Sequence, residues 1–353
     1  MPPPTTGQRL NNRKILQILA SLNHSVEQVD FRFTSKEILN GFGSKIRFLL
    51  HEVNLFFLSL RKVAMTDLVY LPIHQSLVGL LRYMPYLITI LLLNKKYTIR
   101  LEGSTIVQTY GRCGFLGRGV LSFVFRKAIA VIHLSNFTRT SEPFARLSNN
   151  VVLPNTHSIE PVENTSLRKD RSRANILYLS QISVSKGIVD LLETCRLLDE
   201  RGLDFKLSVA GSFSGEVYTT CRYYKNLLPE KIEFCGLLHG REKHELLVNS
   251  DVFVLPSRLM EGQPLSIIEA MATGNAVVST RVGGVVDIIE DEVNGYLVEP
   301  SNVSQLAEAI ETLITDKAAL NRIKENNVSH SIKYGDELFN NNIKSLFESL
   351  LST

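Results

Sequence analysis

From residue 175 onward the chain alternates short apolar runs with segments whose apolar residues recur every three or four positions. The runs are NILYLSQI (175–182), FKLSVAG (205–211), IEFCGL (232–237), DVFVLPS (251–257), AVVST (276–280) and GYLVEP (295–300). Near-continuous apolar runs of this length suit strands covered on both faces. Between them, IVDLLETCRLL, REKHELLV, LSIIEAMA and VSQLAEAIETLI show the spacing of amphipathic helices. Strand and helix in strict alternation predict a parallel sheet, doubly wound with helices on its two faces.

The first half repeats the theme less cleanly. VEQVDFRF (26–33), TDLVYLPI (66–73), YTIRLEGS (97–104) and AIAVIHLS (128–135) read as strands, with helices near 8–22, 44–62, 76–96 and 115–127. They predict a second α/β sheet. The polar, proline-bearing stretch PVENTSLRKDRSR (161–173) marks a linker. The expected organisation is a first domain over 1–160, a linker over 161–174, a second domain over 175–335 and a terminal helix over 336–353 that crosses back to the first domain.

Two apolar stretches call for a membrane test. Residues 76–93 contain Arg82 and Pro85, so their uninterrupted part falls well short of the roughly 20 residues of a span; a buried domain helix is expected. In the helix from Lys45 to Lys62, Ile46, Leu49, Leu50, Val53, Phe57 and Leu60 form a core stripe, while Phe48 and Leu55 lie opposite. Apolar residues all round mean deep burial or lipid contact, and Lys45, Arg47, Arg61 and Lys62 at the ends suit an anionic membrane surface.

The composition, 44% hydrophobic and 21% charged over 353 residues, is that of a folded globular protein and excludes disorder, collagen and a disulfide scaffold. The net charge of +4 hides an asymmetry. Residues 1–165 carry 19 Lys+Arg against 9 Asp+Glu, and residues 166–353 carry 20 against 26. A basic half suits nucleic acid, an anionic membrane or a phosphorylated substrate, and composition does not choose among them. Cys113, Cys195, Cys221 and Cys235 have neither C-x-x-C spacing nor paired histidines nearby, so reduced thiols in a cytosol are expected rather than a metal site. No positively charged start followed by an apolar run is present, so no secretory signal is expected.

A doubly wound sheet binds ligand beyond the carboxyl ends of its strands, and the richest such region is PSRLMEGQPLSIIEAMATGNAVVSTRVGG (256–284). A strand ends at Pro256-Ser257, a loop brings Glu261 and Gly262, and a helix opens near Leu265 and carries Glu269 in its second turn. Free amides at a helix start face an anion. Carboxylates there accept hydrogen bonds from sugar hydroxyls. Glu269 sits among Ile267, Ile268, Ala270, Met271 and Ala272, where a charge requires a partner.

The run EGQPLSIIEAMATGNAVVSTRVGG resembles the E-x7-E region of retaining glycosyltransferase family 4, whose members share the GT-B fold of two facing Rossmann-like domains. Lys186-Gly187, Val209-Ala210-Gly211, the F-C-G of 234–236, SDVFVLPS (250–257) and VLPNTHS (152–158) stand where that family has its other landmarks. The resemblance spans roughly 150–330 and is weaker before. It implies that Lys186 holds the donor diphosphate, that Glu261 contacts the transferred sugar, and that Gly262, Gln263, Pro264, Leu265 and Ser266 present amides to sugar and phosphate. Glu269 would bind the ribose hydroxyls, and Leu237 and Leu238 would line the base pocket.

The chain departs from the family pattern in three places. Gln181 replaces an arginine five residues before the lysine, removing a fixed positive charge. Glu102-Gly103 stands where many members have His-Gly. Thr6-Gly7 replaces the Gly-Gly of a proline-rich loop, and the strand that precedes that loop in the family is missing, which implies a first domain short of one strand. No D-x-D occurs, so no metal or other cofactor is expected.

These readings converge on a transferase that moves a sugar, with retention, from a nucleotide-sugar donor to a saccharide or polyprenyl-diphosphate-linked acceptor. Surface polysaccharide synthesis on the inner face of the cytoplasmic membrane fits this activity, with no nucleic acid partner. Two alternatives stand beside it: a nucleotide-sugar epimerase on the same fold, and a nucleotide-sugar-binding subunit without catalysis.

Overall fold

Residues 68–152 build a four-stranded sheet and residues 174–298 a six-stranded one. The computed structural model describes residues 7–22, 25–28, 53–73 except 55 and 58, 75, 77–159 except 142, and 173–352. The chain divides into two units. The first comprises Met1–Leu134, Arg139–Leu153 and Asn340–Thr353, and the second Ser135–Thr138 and Pro154–Phe339.

In the first unit, α1 (Gly7–Ser21) precedes β1 (Leu68–Ile73), α2 (Leu77–Leu92), β2 (Lys96–Leu101), α3 (Thr105–Arg112), α4 (Phe115–Lys127), β3 (Ala130–His133), α5 (Asn136–Thr140) and β4 (Asn150–Val152). Its strands are parallel in the order β1-β2-β3-β4. Leu71, Ile99 and Val131 face one another across the register, and Ile90, Phe125 and Phe144 close over them. Despite Pro85, α2 is a packed domain helix that buries Leu87 and Ile90. No helix among the described residues is long and apolar enough to cross a membrane.

The helix expected over 44–62 is described only in part and runs on to residue 64. Its buried side differs from the expected stripe. Val53 and Phe57 are exposed, whereas Ser59 and Val63 are buried. The ring of Phe56, 6.2 Å from that of Tyr86 on α2, turns the helix about its axis by one position. Phe48 and Leu55 lie outside the described residues, as do Thr6 and residues 160–172 of the expected linker. Residues 26–28, expected to begin a strand, have no regular structure, and 29–33 lie outside the described residues.

The second unit contains β5 (Ala174–Leu179), α6 (Ile188–Glu200), β6 (Phe205–Ala210), α7 (Tyr218–Leu227), β7 (Ile232–Gly236), α8 (Gly240–Val248) and β8 (Val252–Leu255). It continues through α9 (Leu265–Ala272), β9 (Ala276–Thr280), β10 (Gly295–Val298), α10 (Val303–Thr315) and α11 (Lys317–Ser331). The sheet is parallel throughout, in the order β10-β9-β8-β5-β6-β7. The order reverses at β5, so β5 and β8 are neighbours whose carboxyl ends flank a crevice. Every residue of β8 and β9 is buried, as expected of strands covered on both faces.

Helix α11 has few apolar residues and is held largely by polar ones. Lys324 is buried against Asp251 at 2.9 Å, and Asn327 donates to the Asn275 carbonyl at 2.7 Å. The last helix, α12 (Asp336–Ser352), starts in the second unit, and from Asn340 on it groups with the first. There Phe347 packs against Tyr70 with ring centres 5.9 Å apart.

Candidate functional site

The crevice is built from the segments that leave the carboxyl ends of β5 and β8. After β5, a single turn of 3₁₀-helix, Val184–Lys186, leads into Gly187, whose φ is +73°. A Cβ there would stand 1.8 Å from the Pro256 carbonyl oxygen. Only glycine allows this approach, and it sets Lys186 beside the end of β8. The Lys186 Nζ donates to Glu261 Oε1 at 2.6 Å, and the Ser257 hydroxyl donates to the same oxygen at 2.5 Å. The lysine side chain is 29% exposed and the glutamate 12%, so the charged pair lies at the lip of the crevice.

The loop carrying Glu261 is clamped from behind. Gly284 donates its amide to the Glu261 carbonyl at 2.9 Å, and a Cβ at 284 would stand 1.8 Å from the Gly262 carbonyl oxygen. Asn155 reinforces the loop through Gln263: its amide donates to the Gln263 side-chain oxygen and its Nδ2 to the Gln263 carbonyl at 2.9 Å. Pro264 then occupies the N-cap of α9 with no side-chain cap. The amides of Leu265 and Ser266 therefore open the helix without side-chain satisfaction and carry the positive end of its dipole.

Glu269 lies one turn deeper on α9 and is buried. The partner that its apolar surroundings demand is Lys243 of α8, whose Nζ lies 2.7 Å from Oε1. A second pair supports the approach to Lys186: Arg258 grips the Asp190 carboxylate of α6 with two nitrogens, Nε at 2.8 Å, and its amide donates to the Ser185 carbonyl at 2.9 Å. Leu237 is exposed and Leu238 half-buried, just after β7. Gln181 is exposed after β5, and its carbonyl accepts from the Tyr178 hydroxyl at 2.7 Å. Burial raises that phenol above its ordinary range, with the Glu261 charge acting in the same direction.

Lys186, Glu261, Gly262, Gln263, Pro264, Leu265, Ser266 and Glu269 thus share one loop-and-helix assembly in the second unit. The sequence pattern does not point to Lys243, Ser257, Arg258, Asp190 or Asn155. The one signal for Lys243 is the need of Glu269 for a partner, which gives the charge but not the residue. In the first unit, Glu102 and Gly103 follow β2 and Gly7 opens α1. The Glu102 carboxylate accepts from Asn12, which in turn accepts from the Tyr70 hydroxyl at 3.0 Å. Burial raises the Glu102 pKa, against the lowering effects of the Arg100 charge and the Asn12 hydrogen bond. Gly103 accepts from Gln75 at 2.8 Å. Among the described residues, no three His, Cys, Asp or Glu side chains gather as metal ligands.

Residues 161–330 match the family described as glycosyl transferases group 1. The second unit is a domain of that family. Two curated relatives align with this group 1 domain and its surroundings. The putative colanic acid biosynthesis glycosyltransferase WcaL of Escherichia coli (strain K12) is 30% identical over 187 residues, covering 50% of this chain and 45% of its own. The N,N'-diacetylbacillosaminyl-diphospho-undecaprenol alpha-1,3-N-acetylgalactosaminyltransferase of Campylobacter jejuni is 31% identical over 176 residues, with the same shares of 50% and 45%. The chain thus spans a little under half the length of these relatives.

Solved structures extend the likeness beyond the group 1 domain. A glycosyltransferase from Rickettsia africae ESF-5 superposes with a TM-score of 0.75 at 18% identity, over 99% of this chain and 97% of its own. Anabaena Alr3699/HepE, solved in complex with UDP, gives 0.71 at 19% identity, over 84% and 82%. At such identities the likeness establishes the fold, which is GT-B with two parallel-sheet α/β domains.

Proposed function

We propose that this protein transfers a sugar from a nucleotide sugar to a saccharide acceptor with retention of configuration, in the assembly of a surface polysaccharide. The observation that carries the reading is the pair of Lys186 and Glu261 at the lip of the crevice, beside an uncapped helix start. An ammonium has three donors, so Lys186 can hold Glu261 with one and bind diphosphate oxygens with the others. The amides from Gly262 to Ser266 share that task with the dipole of α9. Their charge stabilises the diphosphate as the anomeric C–O bond breaks and the sugar takes on oxocarbenium character. Glu261 meets the transferred sugar, Glu269 the ribose hydroxyls, and Leu237 and Leu238 the base. Gln181 donates hydrogen bonds to the diphosphate without neutralising it.

The second unit holds the donor in this reading, and the first, with its basic balance, holds the acceptor. The names of the E. coli and C. jejuni relatives, colanic acid biosynthesis and a diphospho-undecaprenol-linked sugar, support an acceptor carried on polyprenyl diphosphate at the cytoplasmic face of the membrane. Glu102 and Gly103 at the end of β2 are weaker candidates for contacts to the sugar, as are Thr6 and Gly7.

The test is a panel of UDP-, GDP- and ADP-sugars incubated with purified protein and a lipid-diphosphate saccharide. Transfer or slow hydrolysis of one donor, with release of its nucleoside diphosphate, is expected. An epimerised sugar nucleotide formed without acceptor would assign an epimerase instead. Binding without turnover would leave a nucleotide-sugar-binding subunit.

A further inference from the structure

Helix α4 presents the wrong face to water. Its inward side buries Val124 and Phe125, and at 100° per residue the opposite arc contains Phe115, Leu116, Val120 and Phe123. These four are 92%, 81%, 45% and 51% exposed. An ordinary surface helix is polar on that arc. The polar groups that flank it are cationic: Arg126 and Lys127 close the helix, and Arg112 precedes it, all three exposed. None of these three has an acidic partner among the described residues. From 103 to 141 the chain has no Asp or Glu, and its charged residues are Arg112, Arg118, Arg126, Lys127 and Arg139.

An open groove of about 420 Å³ runs beside the arc, with Arg118 and Arg126 on its walls and Phe115 and Phe123 at its mouth. The Arg118 guanidinium is held in place by the carbonyls at the end of α3, at 3.2 Å to Tyr110 and 2.6 Å to Gly111. Among the described residues no carboxylate neutralises this arginine.

We propose that α4 docks this protein flat on a bilayer surface bearing anionic phospholipid. Phe115, Leu116 and Phe123 enter the boundary between headgroups and acyl chains, while Arg118, Arg126 and Lys127 meet lipid phosphates. Apolar side chains on one arc with cations at its edges are the chemistry of an interfacial helix. An acidic protein partner would leave Phe115 and Leu116 without an apolar counterpart, and a second copy would bring like charges together. Such docking belongs to the surface of the first unit and goes beyond glycosyl transfer. Its test uses neither donor nor acceptor, so each can fail without the other.

The chain has no tryptophan, so Phe115→Trp introduces a single spectral reporter at an exposed position. With vesicles of phosphatidylcholine containing phosphatidylglycerol, its emission should shift to the blue and be quenched by brominated acyl chains. Tyr223→Trp, at an exposed position on α7 of the second unit, should do neither. Each cation near such a surface contributes roughly fivefold to binding at low salt, so Arg126→Glu with Lys127→Glu should weaken co-sedimentation of the full chain by at least about 25-fold. Phe115→Ser with Leu116→Ser should also weaken it, at unchanged melting temperature. Equal binding to neutral vesicles, indifference to salt, an unshifted emission spectrum of the Phe115→Trp variant, or sedimentation of the protein alone as a self-associated form would each overturn the proposal.

Discussion

Replacing Lys243 by methionine removes the ion-pair partner of a buried carboxylate while keeping the length of its stem. The lysine side chain is 25% exposed and Glu269 10%, so the pair lies between a surface ion pair, worth about 0–1 kcal/mol, and a fully buried one, whose breakage costs about 3–5. The expected loss is about 2 kcal/mol, between those limits. In a domain of 150–250 residues each kcal/mol moves Tm by about 2–4 °C, so Lys243→Met should melt about 4–8 °C below wild type without donor. Glu269→Gln keeps the shape and one acceptor oxygen. If Glu269 accepts both ribose hydroxyls, donor affinity in that variant falls by roughly 1.5 to 3 kcal/mol, or roughly 10- to 150-fold. Lys243→Met leaves the carboxylate charged and should change donor affinity by less than about threefold. Differential scanning fluorimetry and donor titration, each with the ordinary and the 2′-deoxy donor, read both effects. The deoxy donor should bind wild type less well and lose its disadvantage in Glu269→Gln. If Glu269→Gln melts early yet binds donor as wild type does, Glu269 is a structural partner of Lys243 and the ribose assignment is refuted.

Further outcomes can be measured independently. Lys186→Ala should cost about 2 to 4 kcal/mol in kcat/KM, the scale of one preorganised charge stabiliser; unchanged kinetics would remove Lys186 from the diphosphate site. Gly284→Ala drives a methyl into the Gly262 carbonyl and should lower stability to urea by roughly 1–3 kcal/mol while displacing the Glu261 loop, so an unaltered denaturation midpoint would contradict the close approach. The sequence has no D-x-D, so transfer should survive EDTA; loss of activity restored by Mn²⁺ or Mg²⁺ would show a metal-dependent reaction. Burial lowers the His133 pKa from 6.5 to about 4, against the hydrogen bond to Asn150. The unfolded chain therefore takes up this proton first as pH falls, and roughly 3 kcal/mol of stability present above pH 6.5 is lost between 6.5 and 4. His133→Gln should flatten that part of the acid limb, and an unchanged slope would refute a buried neutral histidine.

The second unit was legible because both of its periodicities are strong. The strand expected over 276–280 has those bounds, and α9 opens at Leu265 as the loop pattern indicates. The elements that escape notice lack apolar periodicity. Helix α11 is held by Lys324 and Asn327 through polar contacts formed only on folding, and α7 reads as YTTCRYYKNL with one buried residue, Cys221. In the first half, the stripe gives the wrong rotation for the helix near residue 60 because a contact between Phe56 and Tyr86 outweighs it. At the crevice, the glutamates and Lys186 can be picked out because each follows a strand or opens a helix. Lys243 and Asn155 cannot, since each is far from its partner in sequence and is brought to it by the fold.

Calorimetric titration of UDP, GDP and ADP into the full chain in the presence of EDTA, repeated with Lys186→Ala, probes most directly whether this crevice is a nucleotide-sugar site. One of the three should bind wild type with a stoichiometry of about one per chain and weaken at least about 30-fold in the variant, the equivalent of about 2 kcal/mol. Absence of binding by all three, or binding indifferent to Lys186, would contradict it.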